Sequence, residues 1–531
     1  MIFLVLLLGA SYTGSKACAT CHAAIYREYS RTAMARSLSP ADRILTSGWL
    51  EKPVEIVNPK NNRHYRIFRG AAGVYQSAYE LDENGNDVFR HTEKIEYVMG
   101  TGSNGATAIV RRGNYLFQAP LSYYSAKKTW DLSPNYEVDD LGFSFPITAG
   151  CIGCHSGQPR PVAGREGLFE DPPLHELSIG CERCHGPGSK HASIVNPAKL
   201  PGWLADNICM NCHEGDIRVL QPGKSELDFQ PGKPLNETAV ILKAPVNPSA
   251  RESPLLEHYY SMTLSRCYRE SGGKLSCLTC HSPHAAENFR AKCLTCHSEN
   301  SCKLDLATRL RERPGDPCAS CHMPKQPALT VSHSALTDHR IVRGPGEPYP
   351  EIALKESLPD TGFIHVNGLP SENPTVVPSV VLLRAYRQEL IRGRLEFKEY
   401  YFSLLSRLLA AGERDPFALS AFAQKAASDR DLSAAIRYAS EVVDRGSTSP
   451  YDYLLLDGLL AASGDTAGSV DVLKKGLAIA PYDYLIPERL AQRQLSLGNT
   501  AEALRIITRG LELYPENSRL RDLQKRVHPA P

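Results

Sequence analysis

The chain has 531 residues, of which 42% are hydrophobic, and a formal net charge of +2. This composition is ordinary for a folded protein of two or three domains and excludes a chain that is disordered throughout. A charge this close to zero, without a clustered basic stripe, argues against nucleic acid as a partner.

The first ten residues, MIFLVLLLGA, form an apolar run that is too short to span a bilayer. It is typical of a signal-peptide core, so we expect residues 1–11 to be a signal-peptide-like segment of a periplasmic or otherwise exported protein. A buried first helix is the alternative. Membrane association is expected only through this segment, because no later stretch has the length and hydropathy of a transmembrane helix.

Seven copies of the motif Cys-x-x-Cys-His lie between residues 18 and 322. This motif attaches haem c: the two thiols bond to the porphyrin, and the histidine becomes an axial ligand of the iron. We therefore predict seven haem c groups. The predicted attachment residues are Cys18, Cys21, Cys151, Cys154, Cys181, Cys184, Cys209, Cys212, Cys277, Cys280, Cys293, Cys296, Cys318 and Cys321. The predicted proximal iron ligands are His22, His155, His185, His213, His281, His297 and His322.

Zinc sites or disulfides are the alternative use of paired cysteines at this spacing. Histidine decides between the two, since only 17 of the 531 residues are histidine. A histidine after all seven pairs by chance has a probability on the order of 10⁻¹¹. The sequence therefore favours haem.

Nearly 130 residues without a motif separate His22 from Cys151. They include short runs such as HYRIFRG, GVYQSAYEL and TAIVRRG, separated by Asn and Gly, which predict a small antiparallel β insertion at about 50–130. Residues 100–105, GTGSNG, match the dinucleotide fingerprint G-x-G-x-x-G, but the following ATAIVRRGNYLF is β-like where the fingerprint needs a helix. We expect a glycine-rich turn there.

The C-terminal part changes in composition after a linker rich in Pro and Gly at 342–378. Matching residues then recur every 34 positions, as in Asp431, Asp465 and Asn499, which is the tetratricopeptide length. An ordinary helical bundle is the alternative. The predicted fold class is mainly α, with a haem-packed cytochrome c domain at 12–341 that carries the β insertion, followed by an α-solenoid of tetratricopeptide repeats at 379–527.

Ten histidines outside the motifs could supply the sixth ligands of the irons. His365 in the linker and His528 near the end of the chain are expected to be solvent-exposed. His284 lies three residues after His281, and His191 six after His185, so neither can reach the far side of its own motif's iron. Each is expected to ligate a neighbouring haem.

The stretches CERCHGPGSKH, RESGGKLSCLTCHSPH and CASCHMPK resemble multihaem cytochromes c with doubled CXXCH motifs. These are related to the tetrahaem cytochrome that accepts electrons from hydroxylamine oxidoreductase, and the likeness is to the larger forms with C-terminal tetratricopeptide repeats. The resemblance covers most of residues 12–345. It implies that His191 and His284 are distal ligands, and that His333 and His339 match the histidines after the last motif. His64, His91 and His258 complete the predicted ligand set by elimination.

The sequence leaves two assignments open, the sixth ligand of one iron and the state of two thiols. Met34 stands where some members of this group carry a histidine, so the iron that it faces is either Met-ligated or open, and His175 is the reserve ligand. Cys267 and Cys302 lie outside the motifs and either form a disulfide or stay unpaired.

Three functions are compatible with these features. The first is an electron carrier between redox partner proteins, with the repeats docking a partner; the second is a multihaem reductase of a small nitrogen or sulfur oxyanion at a five-coordinate haem. The third is a scaffold in which the haems are subordinate. The supply of histidines favours the carrier, because catalysis needs an open iron position.

Overall fold

The computed structural model describes residues 11–136, 142–247, 258–285, 288–327, 335–344, 346–368 and 377–527. The chain divides into two compact units. Unit 1 comprises residues 1–37, 153–158 and 175–397, and unit 2 comprises residues 38–152, 159–174 and 398–531. No described helix combines the length and the apolar character that crossing a membrane requires.

The described residues form β-strands that occur mostly in the first half of the chain. In chain order they are β1 (Leu38–Pro40), β2 (Val54–Asn58), β3 (Arg63–Gly70), β4 (Gly73–Leu81), β5 (Asp87–Met99), β6 (Gly105–Arg112), β7 (Tyr115–Tyr124), β8 (Thr129–Leu132), β9 (Phe145–Pro146), β10 (Pro159–Pro161), β11 (Phe169–Leu174), β12 (Ile217–Leu220), β13 (Ala239–Lys243), β14 (Lys325–Pro327), β15 (Ala335–Thr337) and β16 (Ile364–His365).

The helices are short in the motif region and longer in the C-terminal part. In chain order they are α1 (Ser15–Ala19), α2 (Ala23–Tyr29), α3 (Arg43–Thr46), α4 (Ala149–Gly153), α5 (Glu182–His185), α6 (Gly202–His213), α7 (His258–Leu264), α8 (Arg266–Glu270), α9 (Cys277–Cys280), α10 (Phe289–Leu294), α11 (Leu306–Glu312), α12 (Ala319–His322), α13 (Ser379–Ile391), α14 (Lys398–Ala410), α15 (Pro416–Ser428), α16 (Leu432–Asp444), α17 (Pro450–Ala462), α18 (Thr466–Ile479), α19 (Ile486–Ser496), α20 (Thr500–Leu513) and α21 (Ser518–Val527).

Unit 2 contains a large antiparallel sheet with the strand order β2-β3-β4-β5-β6-β7-β8, to which β1 and β9 add at β5 and β7. The sheet is nearly closed. Its core includes Ile67, Phe117 and Trp130, each at most 2% exposed. Because every residue of β7 after Tyr115 is buried, this strand has apolar surroundings on both faces.

The predicted fold class, mainly α with a small β insertion, is wrong. Helix accounts for 43% and strand for 18% of the structure, and the strands of the sheet extend from Leu38 to Pro146, beyond the predicted 50–130. The sequence predicted only a small antiparallel insertion within a haem-packed domain. The strands instead pair along most of their length, so the sheet buries a protein core of its own.

The turns of the sheet follow from their sequence. Between β4 and β5, one carboxylate oxygen of Asp82 accepts hydrogen bonds from the backbone N–H of Asn84 (2.9 Å) and Asn86 (2.8 Å), and Gly85 has φ +81°. The glycine-rich stretch 100–105 is a turn between β5 and β6. A strand rather than a helix follows it, as the sequence predicted.

The C-terminal helices of unit 2 form antiparallel pairs, α15 with α16, α17 with α18 and α19 with α20. The second helix of each pair starts after Asp431, Asp465 or Asn499, so the pairs repeat every 34 residues. The buried small residues at matching positions, Ala435, Ser469 and Ala503, are each 0% exposed. Close helix packing requires small side chains at these positions, and the predicted tetratricopeptide architecture is confirmed.

Unit 1 consists mainly of short helices and turns. A small sheet, β12-β13-β16, packs Ile241 against Ile208 and Met210 of α6. Five motif histidines lie at or just after the ends of short helices, His22, His185, His281, His297 and His322, and His213 ends the longer α6. Helices of four to seven residues are not stable by themselves in water, so contacts outside each helix must hold the motifs in place.

Candidate metal centres

Each motif is wound into one helical turn that brings its three reactive side chains together. In five motifs the backbone N–H of the histidine donates to the carbonyl of the first cysteine at 2.9 to 3.0 Å. Residues at positions i, i+3 and i+4 of a helix share one face. Both thiols and the imidazole therefore project to the same side, as attachment to one porphyrin requires.

Four motif histidines face a second histidine from elsewhere in unit 1. Their ring planes are inclined by 11° to 28°. The pairs and their centroid separations are His22 with His191 (6.3 Å), His185 with His284 (5.9 Å), His213 with His258 (5.6 Å) and His281 with His339 (6.3 Å).

These separations fit a single metal ion between the two rings. A metal–imidazole bond is about 2.0 Å long and a ring nitrogen lies about 1.1 Å from its centroid, so two imidazoles on one metal have centroids about 6.2 Å apart. The rings of His258 and His339 are only 4.3 Å apart, which is too close for an iron between them. His258 is therefore paired with His213, and His339 with His281. This arrangement leaves room for one metal in each pair.

Backbone carbonyls orient several of these rings. Nδ1 of His185 hydrogen-bonds the carbonyl of Val195 at 2.8 Å, and Nδ1 of His339 that of Thr337 at 2.8 Å. A carbonyl can only accept, so Nδ1 carries the proton and Nε2 is left with its lone pair. This hydrogen bond to the second ring nitrogen is the usual support of a metal-binding histidine.

Burial favours the neutral form of five of the candidate ligands. Burial lowers the pKa of His155, His213, His284 and His339, and it lowers the pKa of His258 to about 3. Nearby histidines lower the values further. A neutral imidazole is the form that binds a metal, so these rings need no deprotonation at neutral pH.

The thiols of different motifs lie beside one another. A hydrogen bond donated by Cys154 lowers the pKa of Cys212 to about 6, and one from Cys277 lowers that of Cys209. Burial and then the nearby Cys181 raise the pKa of Cys18, and burial and then Cys318 raise that of Cys293 to about 11. We number the seven motifs along the chain. These contacts then make neighbours of four pairs of motifs: the first and third, the second and fourth, the fourth and fifth, and the sixth and seventh.

The other predicted ligands lie elsewhere. His64 lies on β3 beside Glu55, with Nδ1 at 3.4 Å from a carboxylate oxygen, and His91 lies on β5 with its two ring nitrogens at 3.2 Å from Glu516 and 3.1 Å from Glu93. Both belong to the sheet in unit 2, and within that unit their ring nitrogens face carboxylates. His333 lies outside the described residues.

The sequence predicted that His365 is solvent-exposed, and this prediction is wrong. His175, the reserve ligand, is exposed. His365 lies on β16, both its ring nitrogens are buried, and burial lowers its pKa to about 4. The strand pairing of β16 with β13 explains the burial, which a linker assignment did not anticipate. Within the described ranges, no second imidazole ring pairs with His155, His297 or His322.

The cysteines are all free thiols in the structure, including Cys267 and Cys302. Of the two alternatives for that pair, the structure has the unpaired thiols. No group of three or more His, Cys, Asp or Glu side chains in the described part of the chain has the arrangement of a metal site. The four converging ligands that structural zinc requires are therefore not assembled there.

Three buried carboxylates beside the motifs were missed at the sequence level: Glu182, Asp206 and Glu214 are 5%, 2% and 3% exposed. Glu182 lies inside the third motif and Glu214 follows the histidine of the fourth. Acidic residues at such positions are a weak signal, because most glutamates in a sequence are solvated. Their hydrogen bonds to neighbouring motif segments became visible only in the structure.

Comparisons with known proteins concern the helical repeats. No family model and no curated protein matches the chain. The solved structures similar to parts of it include the Arabidopsis OM64 TPR domain (15% identity, 22% of this chain and 94% of that chain, TM-score 0.20) and the TPR2B domain in its pHsp70 complex from yeast Sti1 (14%, 22% and 96%, TM-score 0.20). Another is YrrB, described as a TPR protein with an unusual peptide-binding site (11%, 28% and 74%, TM-score 0.24).

Proposed function

We propose that this protein is an exported, periplasmic or extracellular, c-type cytochrome that carries electrons between redox partner proteins through seven covalently attached haems. The proposal is supported by the seven attachment motifs and by the resemblance to multihaem cytochromes with doubled motifs. The observation that carries it is the set of four histidine pairs at 5.6 to 6.3 Å, each joining a motif histidine to a histidine from outside the motifs.

The motif cysteines would hold the haems, with the motif histidine on one side of each iron. His191, His284, His258 and His339 would ligate from the other side at the first, third, fourth and fifth motifs. Bound haem supplies an iron that changes between the ferric and ferrous states by one electron. The chain's part is to keep two imidazoles at fixed positions on both sides, so that the coordination stays the same in the two states and little reorganisation is needed.

The spacing of the motifs suits transfer over short distances. Thiols of different motifs lie within hydrogen-bonding range of each other, as for Cys154 with Cys212 and Cys209 with Cys277. Porphyrins attached at such thiols would lie close together. Burial is one of the properties that set a haem's reduction potential, and the histidines of the pairs differ in it: His258 is half-buried, whereas His22, His191 and His281 are exposed.

The helical repeats are proposed to dock a protein partner. Stacked tetratricopeptide pairs form an extended surface, and such arrays bind protein segments in many proteins. In this chain α15–α20 provide three such pairs. The electron donor or acceptor, or an assembly subunit, would bind there.

Mass spectrometry and a pyridine haemochrome assay on the exported protein test this proposal. We expect seven haems, which add about 0.6 kDa each to the 58.4 kDa chain, less any removed signal segment. The variant Cys293→Ala/Cys296→Ala should contain six. The matched control Cys267→Ala removes a cysteine outside the motifs and should keep seven.

A mature protein that carries no added mass would refute the proposal, as would stoichiometric zinc in place of iron. Electron paramagnetic resonance then separates carrier from enzyme. Mostly low-spin ferric iron supports the carrier. A high-spin signal together with turnover of nitrite or hydroxylamine would favour the reductase.

A further inference from the structure

Buried carboxylates in or beside the motifs accept hydrogen bonds from the beginnings of helices in other segments of unit 1. The first turn of a helix has backbone N–H groups without partners inside the helix, and in short helices these make up most of the donors. Three buried carboxylates accept from such groups across motif boundaries. Each one joins two segments that would contact haem, so each fixes a distance relevant to electron transfer.

Glu214 shows the most direct connection. It follows His213, and one of its carboxylate oxygens accepts from the N–H of Tyr259 (2.7 Å) and of Tyr260 (3.3 Å). These two residues are in the first turn of α7, which begins at His258. The residue next to one ligand of the pair thus holds the helix that carries the other, whose ring lies 5.6 Å away.

Asp206 and Glu182 make equivalent connections. Asp206, on the helix of the fourth motif, accepts from the N–H of Cys277 in the fifth motif at 2.9 Å. Glu182, in the third motif, accepts from the N–H of Gly14 at 2.7 Å, just before the first motif. It also accepts from Gly188 at 2.6 Å, in the segment that leads to His191. The third motif thus contributes one such carboxylate, and the segment of the fourth motif contributes two, Asp206 and Glu214.

Glu214 is buried beside the beginning of α7. Its side chain is 3% exposed, and the hydrogen bonds above go to uncharged backbone groups. Burying a carboxylate is costly unless hydrogen bonds compensate, so this group is not a generic filler of the core.

We propose that Glu214 is a positioning residue that sets His258 at ligand distance from His213, and that Asp206 and Glu182 fix the spacing of neighbouring motifs by the same kind of bond. This inference rests on the proposed function, because it assigns a role toward an iron between the two histidines. Glu214 touches neither the iron nor a substrate. It acts through the backbone of α7.

The test compares three replacements of Glu214. Glu214→Ala removes the acceptor; Glu214→Asp keeps the charge but shortens the reach by about 1.5 Å; Glu214→Gln keeps the reach and an acceptor oxygen without the charge. If Glu214 acts through the length of its side chain and through its acceptor oxygen, the Ala and Asp variants should lose the distal ligand at one iron of seven. Electron paramagnetic resonance should then show about one-seventh of the iron as high-spin, while the Gln variant stays low-spin.

Two control variants separate the role of Glu214 from the proposed iron between His213 and His258, on which that role depends. His258→Ala should give the same high-spin fraction, and combining it with Glu214→Ala should add nothing, since both remove one ligand. The exposed Glu237→Ala, in the same unit, should match the parent protein. Added imidazole should restore the low-spin signal of Glu214→Ala.

The outcomes distinguish the two claims. A parent protein without haem refutes the proposed function itself. A fully loaded, low-spin parent whose Glu214→Asp variant is also fully low-spin overturns the role of Glu214 and leaves the proposed function standing. A high-spin Gln variant beside a low-spin Asp variant also overturns it, because charge rather than reach would then matter. Since Asp and Gln are mild replacements, the comparison remains available if the Ala variant does not fold.

Discussion

Replacing His284 by methionine tests the ligand pairing at the third motif. In the structure the ring of His284 lies 5.9 Å from that of His185 and belongs to the stretch that follows the fifth motif. His284→Met would offer a thioether to the iron proposed at the third motif. A methionine ligand raises the potential relative to histidine because the softer sulfur favours ferrous iron. Axial ligands cover a range of about 0.8 V, so we expect a rise on the order of 0.1 to 0.2 V at one haem.

That rise is large enough to measure. For a one-electron couple, a change of about 59 mV in reduction potential changes the equilibrium constant tenfold. A rise of 0.1 to 0.2 V would therefore increase the electron's preference for this haem over the others by roughly 50-fold to 2,000-fold. A spectroscopic redox titration should show one-seventh of the amplitude displaced to higher potential. Reoxidation after a rapid pulse of reductant should gain a slow phase of the same amplitude, because the electron is retained there.

A matched control and a localising variant complete the experiment. His175→Met replaces an exposed histidine of the same unit and should leave all seven potentials unchanged. Removing the third motif by Cys181→Ala/Cys184→Ala should abolish the displaced component in the His284→Met background. A displaced component that survives this removal, or a titration indistinguishable from that of the parent, would refute the assignment of His284 to His185.

Two further predictions concern unit 2. Burial would lower the pKa of His91, but the hydrogen bonds that its ring donates to Glu516 and Glu93 outweigh this effect, and the pKa is raised. The stabilisation by charged His91 is therefore complete below its ordinary pKa of about 6.5 and is lost as the pH rises through the raised value. Glu516→Gln should cost about 2 kcal/mol at pH 5 and flatten this dependence, measured by denaturant unfolding at pH 5 and 8; an unchanged slope would contradict it. In the repeats, Asp457 is 0% exposed and accepts from Arg493 at 2.8 Å. Asp457→Ala should destabilise unit 2 by about 3 to 5 kcal/mol, since it leaves a half-buried guanidinium unpaired, whereas a loss below 1 kcal/mol would show that water satisfies it.

The repeats were predictable because they depend on local sequence, and the haem motifs, which remain a prediction, are local in the same sense. A haem motif is defined within five residues by the covalent chemistry of two thiols and an imidazole. The tetratricopeptide pattern repeats at 34 residues because each helix pair has to pack on the next, and the buried Ala435, Ser469 and Ala503 recur at that spacing. Neither prediction requires knowledge of which distant segments meet.

The size of the sheet was not predictable in the same way. Runs such as GVYQSAYEL at β4 were correctly recognised as β-like, but β2, β8 and β9 are only two to five residues long and carry little local signal. Whether these short segments join the sheet depends on their pairing with another strand of the fold. A sheet also gains most of its stability from such long-range contacts, which a residue-by-residue pattern does not contain.

The distal histidines show the same limit for the candidate sites. His191 and His284 were placed by resemblance, and the structure sets both opposite a motif histidine. His64 and His91 were assigned by elimination. His91 instead hydrogen-bonds Glu516, 425 residues away in sequence. Counting histidines gives the number of available ligands, whereas their positions depend on the tertiary fold.

The same contacts order the motifs into a connected network. His191 follows the third motif and faces the first, and His284 follows the fifth and faces the third. Neighbouring thiols join the fifth motif to the fourth and the fourth to the second. The sixth and seventh are joined by Cys293 and Cys318, and His339, which follows the seventh, faces the fifth. The fifth motif therefore has the most neighbours in this network, namely the third, the fourth and the seventh. If the haems are loaded as proposed, removing the fifth motif should interrupt electron transfer along the chain, whereas removing the sixth should only shorten one branch.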